Sequence, residues 1–79
     1  MIKQATYLAD YRIKVLFDDG TTRDIDLYGF LSESRLPIIR QYLDLDKFRQ
    51  FRVEDGALAW GDNEFDLNPI NIYRGQYDA

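Results

Sequence analysis

The stretch "YRIKVLFDDGTTRDIDL", residues 11–27, decides the fold. Ile13, Val15 and Phe17 alternate with Arg12, Lys14 and Leu16, and beyond the turn Ile25 and Leu27 alternate with Asp24 and Asp26. A period of two places each apolar set on one face of a strand. Between the runs stands Asp18-Asp19-Gly20. Glycine accepts the positive φ of a tight turn, so alternating runs joined by Asp-Gly predict an antiparallel hairpin. Upstream, "IKQATYL" is compatible with a strand but less regular, and Ala9-Asp10 suits a second tight turn. A three-stranded meander is expected.

Downstream the period changes. In "YGFLSESRLPIIRQYLDLDKF", residues 28–48, Ser34 is a candidate cap and Pro37 suits a first helical turn. Ile38, Ile39, Tyr42 and Leu43 fall on one helical stripe. The pattern predicts one short helix that needs the sheet to hold it, with Asp46 capping a further turn through Lys47 and Phe48. Alternation returns in "FRVEDGALAW", where Asp55-Gly56 separates Phe51 and Val53 from Leu58 and Trp60, and again in "EFDL". The fold class read from this order is α+β. It comprises two small antiparallel β-meanders of about six short strands, a central short helix and a short C-terminal helix. Residues 1–79 form a single domain, with 75–79 expected as a flexible tail.

A chain this short buries only roughly 60–65% of its unfolded surface, so each large apolar residue counts. One Trp, six Tyr and five Phe within a 46% apolar composition supply a core without staples. There is no cysteine and no histidine. Disulfides, thiolate chemistry and zinc knuckles are therefore out of reach, and the commonest general base is missing. The net charge of −4 disfavours a phosphate-backbone binder. No stretch resembles a signal peptide or a membrane span, so a cytoplasmic protein without a membrane role is expected.

The segment "WGDNEFDLNPINIY", residues 60–73, bears most on function. Asp62, Glu64 and Asp66 echo the start of a calcium loop, but the sixth and twelfth positions from Asp62 hold Leu67 and Tyr73 instead of Gly and Glu. Turn and cap chemistry explains more of it. Gly61-Asp62-Asn63 suits a turn, Asn68 an N-cap and Pro69 a first helical position, while Gly75 would end the helix. Ile70 and Tyr73, three residues apart, would dock that helix on the sheet.

"FDDG", "IDL", "DKFRQFRVEDGALAW" and "DLNPINIY", in this order and spacing, resemble the small bacterial and archaeal family of unknown function DUF2442 over about residues 11–73. Asp18, Gly20, Asp26, Leu27, Phe48, Trp60, Asp66, Leu67, Pro69 and Tyr73 match its pattern. The family's Asn-Gly turn is replaced by Asp62-Asn63-Glu64, and a family Leu by Ile72. The resemblance implies a compact α+β domain, similar to the N-terminal domain of some longer helix-turn-helix proteins. It further implies a neighbouring small domain in arrangements reminiscent of toxin–antitoxin pairs, and no catalytic role.

Asp24 and Asp26 lie about 6.5–7 Å apart along a strand, a spacing that would suit paired carboxylates. An open strand face offers no cleft to raise a pKa, so solvated carboxylates facing Arg12 or Lys14 are the simpler reading. "KFRQFR" interleaves Lys47, Arg49 and Arg52 with Phe48 and Phe51, a pattern that could grip an acidic partner or a single strand. The phenylalanines fit the core, leaving the cations as a rim. Ser and Thr hydroxyls have no histidine to activate them. No catalytic residue, metal ligand or cofactor is expected. Trp60, Tyr73, Arg74, Lys47, Arg49 and Arg52 are the partner-surface candidates, because aromatic and Arg side chains dominate interface energies.

The expected function is a non-enzymatic protein-interaction or regulatory module, toxin–antitoxin-like, whose protein partner is encoded by an adjacent gene. Open sheet edges would also allow a homodimer. The alternative is a nucleic-acid-associated transcriptional regulator using the local basic patch, although nucleic acid is not the expected partner.

Overall fold

A computed structural model describes residues 1–62 and 64–75, with the backbone alone for Asp66. Asn63 and the tail Gln76–Ala79, including Tyr77, lie outside the described residues. Strands β1 (Ile2–Ala9), β2 (Arg12–Phe17) and β3 (Thr22–Asp26) form one antiparallel sheet in the order β1-β2-β3. Strands β4 (Arg52–Glu54), β5 (Ala57–Trp60) and β6 (Phe65–Leu67) form a second, in the order β4-β5-β6. Between them run α1 (Tyr28–Glu33), α2 (Pro37–Arg40), a 3₁₀ turn (Gln41–Leu43) and α3 (Leu45–Phe48); α4 (Pro69–Arg74) closes the chain. The α+β architecture is that read from the sequence.

The irregularity of the first strand has a structural cause. Ile2 faces Phe17 and Gln4 faces Leu16, so β1 carries one extra residue there, and a second between Tyr7 and Ala9. Each bulge resets which side chains face inward. Ala5 and Tyr7 thus stand opposite the buried Val15 and Ile13, on the same face as Ile2. The turns follow the Asp-Gly rule. Asp55 and Gly56 both have positive φ, 53° and 77°, the signature of a two-residue hairpin turn matching strand twist. Ile2 N–H donates to the Gly56 carbonyl at 2.9 Å, so the first sheet begins on the turn of the second.

The segment between the sheets is broken into short pieces where the sequence predicted one helix. Pro37 disfavours α-conformation in its predecessor, and Leu36 is extended with ψ 117°. Ser34 does not cap α2; its hydroxyl accepts the Leu36 N–H at 3.2 Å in a local turn. Asp44 breaks the chain again at ψ 115° and accepts the Asp46 N–H at 3.0 Å, so Asp44 is the cap and Asp46 sits in the first turn of α3. Ile38 is exposed, while Tyr42 supplies the buried anchor of this stretch. Helix α1, absent from the sequence reading, starts where the Asp26 carboxylate accepts the Tyr28 N–H at 3.0 Å and buries Leu31.

Both sheets and the helices share one core, in which Trp60 is the largest fully buried side chain. Its indole N–H donates to the Phe48 carbonyl at 2.8 Å, and its ring stacks on Phe65 with centroids 4.6 Å apart. Trp60 therefore ties α3 to the second sheet. That helix is capped by Asn68, which accepts the Ile70 N–H at 2.8 Å, and ends at Gly75 in left-handed conformation. Ile72 is the residue it buries. The predicted docking pair is half corrected: at about 100° per residue, Ile70 lies far round the helix from Ile72 and points to solvent. Tyr73 rests edge-on against Phe17, with centroids 5.0 Å apart. Among the described residues no helix is long and apolar enough to cross a membrane.

Candidate functional site: two clefts of opposite character

The partner-surface candidates separate into two clefts, and one of them drops out. Trp60 is completely buried, so it cannot meet a partner; its polar atom is spent on Phe48. A small domain puts its one indole where it removes the most area from water.

Tyr73 and Arg74 line the first cleft, of about 370 Å³, together with Met1, Phe17, Pro69 and Ile70. Met1 is 64% exposed, Ile70 58% and Tyr73 40%. The hairpin turn between β2 and β3 holds the wall in place. Tyr73 hydroxyl donates to Asp19 at 3.0 Å and lies 3.3 Å from the Thr21 hydroxyl. Arg23, standing opposite Val15 at the sheet edge, donates to the Tyr73 carbonyl at 3.2 Å and lays its guanidinium 5.0 Å from the Tyr73 ring centroid. The Thr21 backbone N–H, then the Thr21 hydroxyl and Tyr73, hold the Asp19 carboxyl below its usual pKa. Rim charges are mixed: the Met1 ammonium lies 3.9 Å from Asp18, across from Arg74. This cleft is apolar with a fixed aromatic wall and a cation at its edge.

Lys47 and Arg52 line the second cleft, of about 320 Å³, with Gln41, Tyr42, Gln50, Gly61 and Glu64. Arg49, the third cation of "KFRQFR", is not among them: its guanidinium stacks 5.0 Å from the Tyr7 ring. The basic trio is thus divided. Arg52 is further committed to Glu54, with Nη2 2.6 Å and Nε 2.8 Å from one carboxylate oxygen. Phe48 and Phe51 do pack on the core, as their spacing predicted.

Glu64 gives the second cleft its structure. Tyr42 hydroxyl donates to Glu64 Oε1 at 3.2 Å, and Gln41 Nε2 donates to Oε2 at 3.3 Å. Burial, then the Glu64 carboxylate beside it, raises the Tyr42 pKa, so the phenol stays a donor. The carboxylate folds back over Gly61, whose φ is +64°. A Cβ at Gly61 would stand 2.3 Å from Glu64 Oε1 and 2.8 Å from the Tyr42 hydroxyl. A side chain there would be strained by the positive φ and would push the Glu64 carboxylate from its place.

The remaining carboxylates have structural surroundings. Asp24 and Asp26 stand opposite Lys14 and Arg12 in the β2–β3 register, and Asp26 also starts α1. Of the calcium-like trio, Glu64 is turned to Tyr42, while the Asp66 side chain lies outside the described residues. Among the described residues no three acidic groups gather into a possible metal site.

Sequence reasoning missed Met1 and Ile70 in the first cleft and Gln41, Gln50 and Glu64 in the second. Ile70 was assigned inward by the i, i+3 pattern. The Tyr42–Glu64 contact spans 22 residues and left no local signal. No curated protein and no solved structure matches the chain. The profile of the family described as "Protein of unknown function (DUF2442)" matches residues 2–78. With nearly its whole length inside that match, this chain belongs to the DUF2442 family.

Proposed function

We propose that this domain is a non-enzymatic protein-interaction module that receives a partner protein in the apolar cleft beside α4. The single observation that carries this reading is the convergence of Met1, Ile70 and Tyr73, all substantially exposed, on one cleft with Phe17 at its floor and Arg74 at its rim. Exposed apolar groups gathered around an aromatic and an arginine are the composition of an interface centre. The partner is a protein presenting an apolar side chain beside an acidic group that meets Arg74. In keeping with the toxin–antitoxin-like arrangement, it is the product of an adjacent gene and the role is regulatory.

Two observations weigh against other routes. The edge strand β3 carries Arg23, Asp24 and Asp26, and charged edges resist strand addition, so homodimerisation through β3 is disfavoured. The divided basic trio weakens the nucleic-acid reading, which requires cations acting on one backbone. Co-expression with the adjacent gene's product, followed by size-exclusion chromatography with light scattering, tests the proposal. A defined complex is expected from the wild-type chain, and Ile70→Asp should lose it while remaining folded. A complex unaffected by Ile70→Asp, or none at all, contradicts the proposal.

A further inference from the structure

The second cleft has opposite charges on its walls that do not meet each other. Among the described residues the ion pairs within 4.0 Å are Met1–Asp18 and Arg52–Glu54, so Lys47 and Glu64 face the same space without contact. Glu64 is not a loose surface carboxylate. Its position is fixed by Tyr42 and Gln41 and by the missing side chain of Gly61. It accepts one bond at each carboxylate oxygen, at 3.2 and 3.3 Å, so neither oxygen's capacity for two is filled by them. Arg52 is held by Glu54 through Nε and Nη2 alone. The amide of Gln50 completes the lining.

We propose that this cleft binds a small zwitterion of the α-amino acid class. The ammonium group sits at Glu64, and the carboxylate is received by Lys47 with the Gln50 amide. With Arg52 taken up by Glu54, a lysine and a hydrogen-bonded carboxylate that line one cleft without pairing are complementary to a ligand carrying both charges close together. An anion alone would satisfy Lys47 but face Glu64, and an amine alone would face Lys47. The volume of about 320 Å³ is at the small end of ligand pockets. This inference is independent of the α4 cleft, with which it shares no residue.

The test is a titration followed by ¹H–¹⁵N correlation spectra, using L-alanine, L-glutamine and L-leucine, with acetate and methylamine as single-charge probes. Saturable shifts at Gly61, Gln41 and Gln50 are expected, with at least one amino acid binding at a Kd of about 1 mM or tighter. Acetate and methylamine should bind at least about tenfold more weakly. Glu64→Gln should weaken amino acid binding at least tenfold, and so should Lys47→Met, which changes an exposed side chain and keeps the experiment decisive should Glu64→Gln fail to fold. No saturable shift with any amino acid, equal binding of acetate, or binding unchanged in Lys47→Met overturns the proposal.

Discussion

The first sheet is built from strands of eight, six and five residues, the second from strands of three, four and three. The longer sheet has an extended ladder and alternating side chains to set its register, with bulges absorbing the misfit of β1. In the shorter sheet, each strand pairing rests on three residue pairs. Isolated ribbons of that size are marginal in water. Aromatic packing holds it instead: Trp60 stacks on Phe65, approaches Phe48 and Phe51, and ties the α3 backbone through its indole N–H. One half is specified chiefly by backbone pairing, the other by one side chain and its neighbours. The clefts follow the same division. The first half meets α4 in an apolar cleft, and the second carries the polar one.

The largest effect should come from Trp60→Ala. Truncating a buried indole costs about 3–5 kcal/mol, a large share of the roughly 5–15 kcal/mol that holds a small domain folded. Denaturant unfolding followed by circular dichroism measures it, and a loss below about 1 kcal/mol would break the comparison between the halves. Gly56→Ala comes next. The +77° φ alone costs about 1–2 kcal/mol, and a new Cβ would add to it by standing 2.8 Å from Met1 Cβ, which shifts only with its backbone. Thermal melts of the purified variant read this directly. Asn68→Ala removes the α4 cap and should cost about 1 kcal/mol, and it should also loosen the wall of the apolar cleft.

The smallest effect is pH-dependent. The folded-state pKa of Asp19 lies below its ordinary value of 3.8. Its contribution is therefore present above pH 3.8 and disappears as the pH falls through the lowered folded value, since the unfolded chain binds the proton first. Wild type and Asp19→Asn should differ in midpoint temperature at neutral pH and converge in acid. A difference that grows on acidification would reverse the assignment.

Much of the fold was legible because it is written locally. Asp19-Gly20, Asp55-Gly56 and Asn68-Pro69 each announce a turn or cap through their own backbone preferences, and the alternation of Ile13, Val15 and Phe17 fixes a face. The central helices were not legible in detail. Pro37 and Asp44 divide a stripe that reads as continuous, and α1 starts from Asp26, two residues before its first turn. The site was half legible. Of the partner-surface candidates, Tyr73 and Arg74 line a cleft while Trp60 is buried, because burial depends on what the rest of the chain offers for packing. Helix α4 is only six residues long, so its orientation depends on the Asn68 cap and on Phe17 rather than on its own pattern. That is why Ile72 went inward and Ile70 outward.

Hydrogen exchange on the domain mixed with the proposed partner, the adjacent gene's product, tests the central claim most directly, because the two clefts are reported by different amides. The account predicts slowed exchange at residues 17–19 and 70–75 on binding, with Gly61 and residues 50–52 unchanged. Slowed exchange confined to Gly61 and residues 50–52, with α4 unaffected, would contradict it.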